Sequence, residues 1–385
     1  MTAHRFWIAA ALVGAAFSLR VAQAQTPALV TDPRIAAAMP QRLALLELAE
    51  ASLARGETSM AALGFERAGM MLHSADSEMG LVRAWMQSGD YRRALAFCAH
   101  AAGAHRDVPA AAALYAWLLR LGGQSAFAGQ VLAEAVERAP DDPVVQAVWS
   151  AFRTGVMSAS GVLLDLPHRM APQSTNLGEQ TLPATDAAVL GTGALVGGGR
   201  YAVVDAAMVQ GKRRLWVRNG YGQTTSAKVE PVPPSAAPSG LSLLRLDTAL
   251  EDGEAVVAQA DPFGGSPGFV MTFAANALNE PAWPSLHQGF LGRVEGNATT
   301  RKLGISLPAS ATGGPVFDST GKLVEFARGD AGAAMTLVPA SVLRQILPRA
   351  DAPAAASSPV APNRIALDAV YERGLRSTLQ LIAAP

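Results

Sequence analysis

A short hydroxyl-containing loop carries the residue types best suited to chemistry in this chain. It spans residues 310–318 and has the sequence Ser-Ala-Thr-Gly-Gly-Pro-Val-Phe-Asp. The hydroxyl of Thr312 is a poor nucleophile near neutral pH unless a general base removes its proton. Gly313 and Gly314 allow backbone conformations that other residues cannot adopt, and they allow a second chain or a ligand to approach closely. Whether the loop is catalytic therefore depends on what the rest of the chain places beside Thr312.

The loop resembles the nucleophile loop of chymotrypsin-like serine proteases, which reads Gly-x-Ser-Gly-Gly-Pro. Thr312 stands where that family has its serine, and Ser310 stands where it has the first glycine. Short apolar runs separated by Gly, Pro and Asn across 186–348 are typical of an all-β domain. Further segments resemble, in order, landmarks of the HtrA-type branch of these proteases: 191–196, 201–209, 240–246 and 336–340. The resemblance implies a trypsin-like double β-barrel.

The catalytic positions that the resemblance defines have lost their chemistry. The catalytic histidine falls on Ala207, and the aspartate that orients it falls on Gly240. Neither alanine nor glycine can accept or transfer a proton, so the general base and its support are both missing. Loss of a triad costs on the order of a millionfold in rate, and Ser310 alters the oxyanion position as well. The sequence therefore predicts an inactive homologue of a serine peptidase, with Thr312 as a degenerate nucleophile position.

A relocated base would have to come from a small set of other residues. His287 precedes an apolar run and is one candidate. A dyad of Thr312 with Lys302 or Lys322 is another. We favour neither, and we expect Asp205 to cap a turn rather than to act as a catalytic acid.

The first part of the chain contains a repeat of about 34 residues, the length of a two-helix tetratricopeptide unit. Gly56, Gly89 and Gly123 lie 33 and 34 residues apart, and small or apolar residues follow each glycine at offsets 5, 9 and 12. These residues are Ala61, Phe65 and Ala68, then Ala94, Cys98 and Ala101, then Ala128, Leu132 and Ala135. The pattern resembles the tetratricopeptide repeat, a pair of antiparallel helices. The resemblance implies an α-solenoid whose groove binds peptides or partner proteins.

Five residues are candidates for peptide binding. Arg83, Tyr115 and Arg120 fall on the first helices of their repeats and could face the groove. Gly313 and Gly314 would contribute if the emptied protease cleft still binds a peptide. For these two glycines we favour retention for folding, because a Gly-Gly-Pro sequence fixes a turn against the neighbouring barrel.

The remaining histidines and the cysteine give no sign of a metal site. His73, His100 and His105 are expected at the surface or in loops, and Cys98 is expected in the core between repeats. No run of cysteines and histidines has the spacing of metal ligands. The sequence therefore predicts neither a metal nor any other cofactor. A single cysteine also excludes an intramolecular disulfide.

The N-terminus resembles a secretory signal. Arg5 precedes an apolar run over residues 6–19, and Ala22-Gln23-Ala24 offers a small-x-small cleavage site. An uncleaved membrane anchor is the alternative, although the run is shorter than the roughly 20 residues of a spanning helix. We expect cleavage after Ala24 and a periplasmic or secreted bacterial protein with no membrane span thereafter.

The expected order is a multidomain α plus all-β chain. Its predicted parts are the signal peptide 1–24, helical repeats 35–153, a linker 154–185, a pseudoprotease domain 186–348, a flexible linker 349–363 and an amphipathic segment 364–385. Residues 371–381 also resemble the helix-to-strand segment that normally opens an HtrA-type domain. The final segment could therefore complete a barrel, its own or a neighbour's.

The expected function is that of a non-catalytic scaffold or adaptor that binds proteins in a periplasmic or envelope complex. Lys and Arg together number 31, as do Asp and Glu, so the formal net charge is zero. This balance removes the electrostatic argument for a nucleic-acid partner. Two alternatives stay open: a serine-type endopeptidase with a rewired site, and a holdase chaperone with many clients. The sequence does not indicate an oligomeric state.

Overall fold

The computed structural model of the chain divides into two compact units. The described residues are 33–154, 172–178, 183, 186–235, 237–250, 253–275, 277–292, 301–329, 335–348 and 364–384. The helical unit comprises Met1–Tyr115 with Leu132–Arg169, and the barrel unit comprises Ala116–Val131 with Met170–Pro385. The predicted signal peptide, most of the predicted linker 154–185 and all of the predicted linker 349–363 lie outside the described residues.

Helices follow one another through the described N-terminal part of the chain. They are α1 (Pro33–Ala54), α2 (Thr58–Met71), α3 (Ala75–Gln87), α4 (Tyr91–Ala104), α5 (Pro109–Leu121), α6 (Ser125–Arg138) and α7 (Pro143–Thr154). Gly56, Gly89 and Gly123 have φ values of 79°, 83° and 87°. Glycine enters this region without the steric cost that a Cβ atom brings. Each of the three glycines therefore ends one helix and starts the turn into the next.

Packing of the helices follows the predicted repeat register. All nine residues at offsets 5, 9 and 12 from the three glycines are 0% exposed. Phe65 packs so closely against α3 that a Cβ atom on Gly80 would overlap its ring. The prediction that Cys98 belongs to the core is confirmed, because its side chain is fully buried. Among the described helices, none has both the length and the apolar character that crossing a membrane requires.

The barrel unit contains the strands. They are β1 (Thr175–Asn176), β2 (Ala188–Val196), β3 (Tyr201–Asp205), β4 (Leu215–Asn219), β5 (Gln223–Glu230), β6 (Leu241–Leu246), β7 (Pro267–Thr272), β8 (Ala277–Leu278), β9 (Ser285–Phe290), β10 (Arg301–Lys302), β11 (Gly313–Phe317), β12 (Leu323–Arg328), β13 (Thr336–Pro339) and β14 (Thr378–Ala383). Three short helices accompany them: α8 (Ala206–Val209), α9 (Ala340–Ile346) and α10 (Leu367–Ser377).

Six strands close into a first barrel. Their order is β5-β4-β14-β2-β3-β6, and β6 pairs back onto β5, all in antiparallel register. Closure leaves no free edge among these six strands. Leucine and valine side chains fill the interior, and several are 0% exposed: Leu195, Val204, Val217, Leu244, Leu379 and Leu381.

Of the other strands, β1 pairs with β5 and β8 pairs with β2. The remaining six form a second antiparallel sheet in the order β10-β13-β12-β11-β7-β9. Its two ends approach each other, because a Cβ atom on Gly304 would lie 2.5 Å from the carbonyl oxygen of Phe290. The sheet therefore curls into a second barrel. The expected trypsin-like double β-barrel is the fold of this unit.

The C-terminal segment differs from the favoured prediction. Residues 364–385 were expected to form a docking amphipathic helix, but helix α10 ends at Ser377 and the chain continues as strand β14. This strand pairs with β2 on one side and β4 on the other. A buried arginine on β4 also contacts β14, because Nη1 of Arg218 donates to Oε1 of Gln380 at 3.2 Å. The helix-to-strand segment that resembles a domain opening thus completes its own barrel from the far end of the sequence.

The turn between α5 and α6 also belongs to the barrel unit. Nε2 of Gln124 donates to the carbonyl oxygen of Trp283 at 2.8 Å, and the amide of Trp283 donates to the carbonyl oxygen of Gly122 at 2.9 Å. The ring of Phe127 lies 5.5 Å from that of His287. Residues 116–131 therefore group with the barrel unit, although they lie inside the predicted range 35–153 of the helical repeats.

Shortening one side chain of β14 tests its place in the barrel core. Leu381→Ala should lower the free energy of unfolding of the barrel unit by about 3 kcal/mol, as expected for a leucine lost from a packed core. Val229→Ala on β5 is the control, because Val229 is 51% exposed and its loss should cost under about 0.5 kcal/mol. Denaturant unfolding followed by tryptophan fluorescence measures both. Equal effects of the two substitutions would contradict the buried position of β14.

Candidate functional site

Ala207 and Gly240, the positions that the resemblance assigns to a histidine and an aspartate, lie close together in the barrel unit. The carboxylate of Asp205 caps α8 by accepting from the amide of Ala207 at 3.0 Å. The neighbouring amide of Ala206 donates to the carbonyl oxygen of Gly240 at 3.0 Å. Asp205 is therefore a helix cap, as expected, and its hydrogen bond fixes the backbone on which a catalytic histidine would have stood. The methyl group of Ala207 is exposed instead.

Thr312 lies against the same short helix. Its hydroxyl faces the sulfur of Met208 at 3.9 Å, which is a weak acceptor. A Cβ atom on Gly191 would overlap the hydroxyl oxygen, so only glycine at 191 leaves room for Thr312. Within the described part of the chain, the hydroxyl contacts this thioether and no group that could take its proton. Thr312 and Gly240 thus both lie against the segment 206–208, and the partner of the Thr312 hydroxyl is not a base.

An arginine fills the space beside the lost aspartate. The guanidinium group of Arg328 lies where a side chain on Gly240 would project, and any Cβ atom there would overlap it. Nη1 of Arg328 donates to the carbonyl oxygen of Ser239 at 3.2 Å, and Nε donates to Oδ2 of Asp205 at 3.4 Å. A catalytic carboxylate would stabilise an imidazolium ion at the histidine position. A guanidinium ion at the same place, already paired with Asp205, gives no such stabilisation.

The two glycines of the loop have a structural role. Gly313 and Gly314 have φ values of 98° and 151°, and both are buried in β11. A Cβ atom on Gly313 would overlap the carbonyl oxygen of Ala327, and one on Gly314 would lie 2.5 Å from that of Met271. The glycines therefore allow β11 to fit between its neighbours. Because they are buried, they offer no surface to a peptide, and the alternative peptide-binding role is not supported.

The candidate replacement bases have other surroundings. Nε2 of His287 lies 3.3 Å from the hydroxyl of Thr272 on the paired strand β7. Burial lowers the pKa of His287 to about 4, so the ring is neutral at pH 7. Lys302 is exposed on β10, and Lys322 lies in the turn before β12. Among the described contacts, none joins these three residues to Thr312.

The three predicted groove residues have different surroundings. Arg83 makes an ion pair with Glu50 and lies 5.9 Å above the ring of Phe65. Tyr115 is 5% exposed, and burial raises the pKa of its hydroxyl. Tyr115 is therefore a core residue rather than a groove contact. Arg120 is half-buried and belongs to the barrel unit.

His73 is exposed in the turn before α3 and His105 follows the last residue of α4, in line with the expected surface or loop positions, whereas His100 lies within α4. His73, His100 and His105 all point at the carboxylate of Glu78 in the helical unit. Burial opposes ionisation of this carboxylate, but the three imidazoles outweigh it and hold the pKa of Glu78 below its ordinary value. The sequence separation of these residues hid the cluster, and the pairing of α3 with α4 creates it.

A surface depression of about 460 Å³ lies elsewhere in the barrel unit, between residues 253–256, the turn 320–322 and α10. Its charged groups have partners within the unit. Nη1 of Arg373 donates to the carbonyl oxygen of Thr320, and Glu372 accepts from the hydroxyl of Tyr221. Thr312 does not line this depression.

A buried acid lies three residues before Arg328. Glu325 on β12 is 0% exposed, and Nη1 of Arg301 lies 3.0 Å from its Oε1. Within the described residues, neither carboxylate oxygen has a partner in hydrogen-bonding geometry. Burial raises the pKa of Glu325 to about 7, against the opposing effect of Arg301.

Comparison with known proteins agrees with the helical repeats. Residues 73–149 match a family model described as tetratricopeptide repeat. No curated protein matches the chain. A solved structure of the HtrA-type protease AlgW with a decapeptide has 12% sequence identity and a TM-score of 0.34, and the match covers 40% of this chain and 49% of that chain. The chain thus spans about half the length of that protein.

The apo protease domain of MamO from Magnetospirillum magneticum is a second similar structure. It has 18% identity and a TM-score of 0.31, and the match covers 43% of this chain and 96% of that chain. The double barrel is therefore established by the strand pairing of the barrel unit.

Restoring the three family residues should not restore activity while Arg328 is present. In Ala207→His/Gly240→Asp/Thr312→Ser, the new aspartate would overlap the guanidinium group and pair with it instead of orienting the histidine. Labelling by a fluorophosphonate should stay at the wild-type background. Adding Arg328→Ala to the triple variant should raise labelling above it. Strong labelling of the triple variant, with circular dichroism showing an intact fold, would contradict the assigned effect of Arg328.

The stability of the barrel unit should fall as pH rises from about 4.5 to about 7. The pKa of Glu325 is raised by folding, so its contribution is fully present below the unfolded value and lost as pH passes the folded value. The loss is up to about 3 kcal/mol, at roughly 1.4 kcal/mol per pKa unit. Glu325→Gln should remove most of this slope in urea unfolding. Glu230→Gln, at a half-exposed position on β5, should leave it in place, and equal slopes in both variants would refute the assignment.

Proposed function

We propose that this chain is an exported, non-catalytic scaffold or adaptor that binds partner proteins in a periplasmic or envelope complex. Its barrel unit is an inactive homologue of trypsin-like serine peptidases. The single observation that carries the proposal is the guanidinium group of Arg328 in the space beside Gly240. A site that had only lost its aspartate would leave this space unfilled. Here the space holds a cationic guanidinium group, whereas a catalytic site would hold an anionic carboxylate.

Three features around Thr312 support a loss of catalysis. Small movements of side chains would not bring a base to the Thr312 hydroxyl. Ala207 carries no proton-transfer group, and the hydroxyl of Thr312 faces the thioether of Met208. The backbone between them is held by the cap from Asp205. A nucleophile without a base reacts at the slow rate of a free hydroxyl. The fold is thus retained in a form that suits binding and stability rather than turnover.

The helical repeats support a role in protein binding. Stacked helix pairs bury their small residues between repeats and leave side chains on their outer faces for partners. The signal-like N-terminus motivates the export part of the proposal. Cleavage after Ala24 would place Gln25 at the mature N-terminus.

Absence of peptidase activity is the first measurable consequence. Purified mature protein should not hydrolyse casein or accept a fluorophosphonate, and Thr312→Ala should change neither result. This comparison controls for contaminating proteases, because a contaminant would be unaffected by the substitution. Hydrolysis that Thr312→Ala abolishes would overturn the proposal in favour of a rewired peptidase.

Partner recovery distinguishes a scaffold from a holdase. Chemical cross-linking in the native envelope, followed by affinity purification and mass spectrometry, should recover one or a few partners at fixed stoichiometry. Cleavage after Ala24 is checked on the same material by the mass of its N-terminal peptide. A broad set of unfolded envelope proteins, together with suppression of aggregation in vitro, would instead identify a chaperone.

A further inference from the structure

Three of the six histidines of the chain converge on one buried carboxylate in the helical unit. The side chain of Glu78 is 7% exposed. Nε2 of His73 lies 2.7 Å from Oε1 of Glu78, and Nε2 of His100 lies 3.2 Å from the same oxygen. Nε2 of His105 lies 3.2 Å from the other oxygen, Oε2. Three ring nitrogens therefore face the two oxygens of a single carboxylate.

The α3–α4 hairpin brings these residues together. Because the two helices are antiparallel and joined by the turn at Gly89, the beginning of α3 lies beside the end of α4. Glu78 is in the first turn of α3, and His105 is the C-cap of α4. The ring of His73, in the turn before α3, lies 4.9 Å from that of His105 and 5.9 Å from that of His100. The cluster thus joins the turn before α3, the first turn of α3 and the end of α4.

Hydrogen bonds inside the cluster leave two buried atoms unsatisfied. In the described structure, Oε2 of Glu78 and Nε2 of His105 have no hydrogen-bond partner although they lie 3.2 Å apart. A buried polar atom left in this way costs free energy. Oε2 of Glu78 and Nε2 of His105 are close together but do not point at each other. This is the geometry of two metal ligands that are both directed at a third atom.

The distances fit a small ion with tetrahedral coordination. The ligand atoms of His73, Glu78 and His100 all lie within 4.8 Å of one another. A zinc ion with bonds of about 2.0–2.1 Å holds neighbouring ligand atoms roughly 3.3 Å apart. Two separations in the cluster are 3.2 Å, and the 2.7 Å separation between His73 and Glu78 would widen on binding. Imidazole with a single carboxylate suits zinc and related ions, whereas calcium and magnesium prefer ligand sets made of oxygen.

We propose that His73, Glu78, His100 and His105 bind one divalent first-row transition ion, with zinc as the best fit. His73, Glu78 and His100 form the core of the site, and His105 completes it. The side chain of His73 is 61% exposed and provides the route by which the ion enters. Ligands from the turn before α3, from α3 and from the end of α4 share the ion, so it acts structurally and fastens these segments together. This site is independent of Thr312 and its surroundings in the barrel unit, and of the proposed scaffold role.

Metal titration of the tag-free mature protein tests the proposal. After removal of metal with a chelator, the protein should bind one Co²⁺ per chain with the visible absorption of a tetrahedral complex. Zn²⁺ should displace the Co²⁺ and raise the unfolding midpoint of the helical unit, and a chelator should reverse that rise.

Substitution of one ligand supplies the control. His73→Asn removes the most exposed ligand, so the fold is retained, and Zn²⁺ affinity should fall at least about tenfold. His105→Asn should give a second, independent loss. His287→Gln, which changes a histidine of the barrel unit, should bind Zn²⁺ as the wild type does. The proposal is overturned if the wild type shows no tetrahedral Co²⁺ spectrum, or if the His73 and His287 variants bind Zn²⁺ equally.

Discussion

The position of β14 is the constraint on which the barrel unit depends. This strand lies between β2 and β4, so the first barrel cannot close without it. Helix α10 leads into β14 and also reaches the second barrel, where the hydroxyl of Tyr371 donates to the carbonyl oxygen of Pro284 at 2.8 Å. Gly374 lets α10 pass close to Met271 of β7. One segment therefore contacts both barrels.

Within this frame, backbone hydrogen bonds and steric fit arrange the surroundings of Thr312. Asp205 still caps α8, and the loop glycines still seat β11 against β12 and β7. The side chains near Thr312 and Gly240 are a methyl group, a thioether and a guanidinium ion paired with Asp205. The backbone arrangement is specified by hydrogen bonds and steric fit, which tolerate these side chains, whereas proton transfer depends on the identity of a few side chains. Fold and catalysis are thus separable here.

Sequence could predict the parts of the structure that depend on local rules. Positive-φ glycines and small packing residues recur at fixed offsets, so the repeats and the burial of Cys98 followed from spacing alone. Short apolar runs separated by turn residues predicted the all-β domain. The resemblance of residues 371–381 to a helix-to-strand domain opening indicated that the C-terminal segment could complete a barrel, as β14 does. Arg328 beside Gly240 and the histidines around Glu78 were missed, because each depends on contacts between distant residues. For the histidines a signal existed, since opposite ends of an antiparallel helix pair must meet.

The burial of Cys98 has a consequence for how the protein behaves once its native state is lost. In the folded helical unit the thiol is fully buried, and this burial, followed by the charge of Glu78, raises its pKa. The reactive thiolate is therefore suppressed. When the helices separate, the thiol is exposed and is no longer close to the charge of Glu78. A chain with a single thiol can then form a disulfide only with another molecule. Oxidation then traps the unfolded population as covalent dimers, so durability in an oxidising compartment is governed by the rate of opening rather than by the equilibrium free energy.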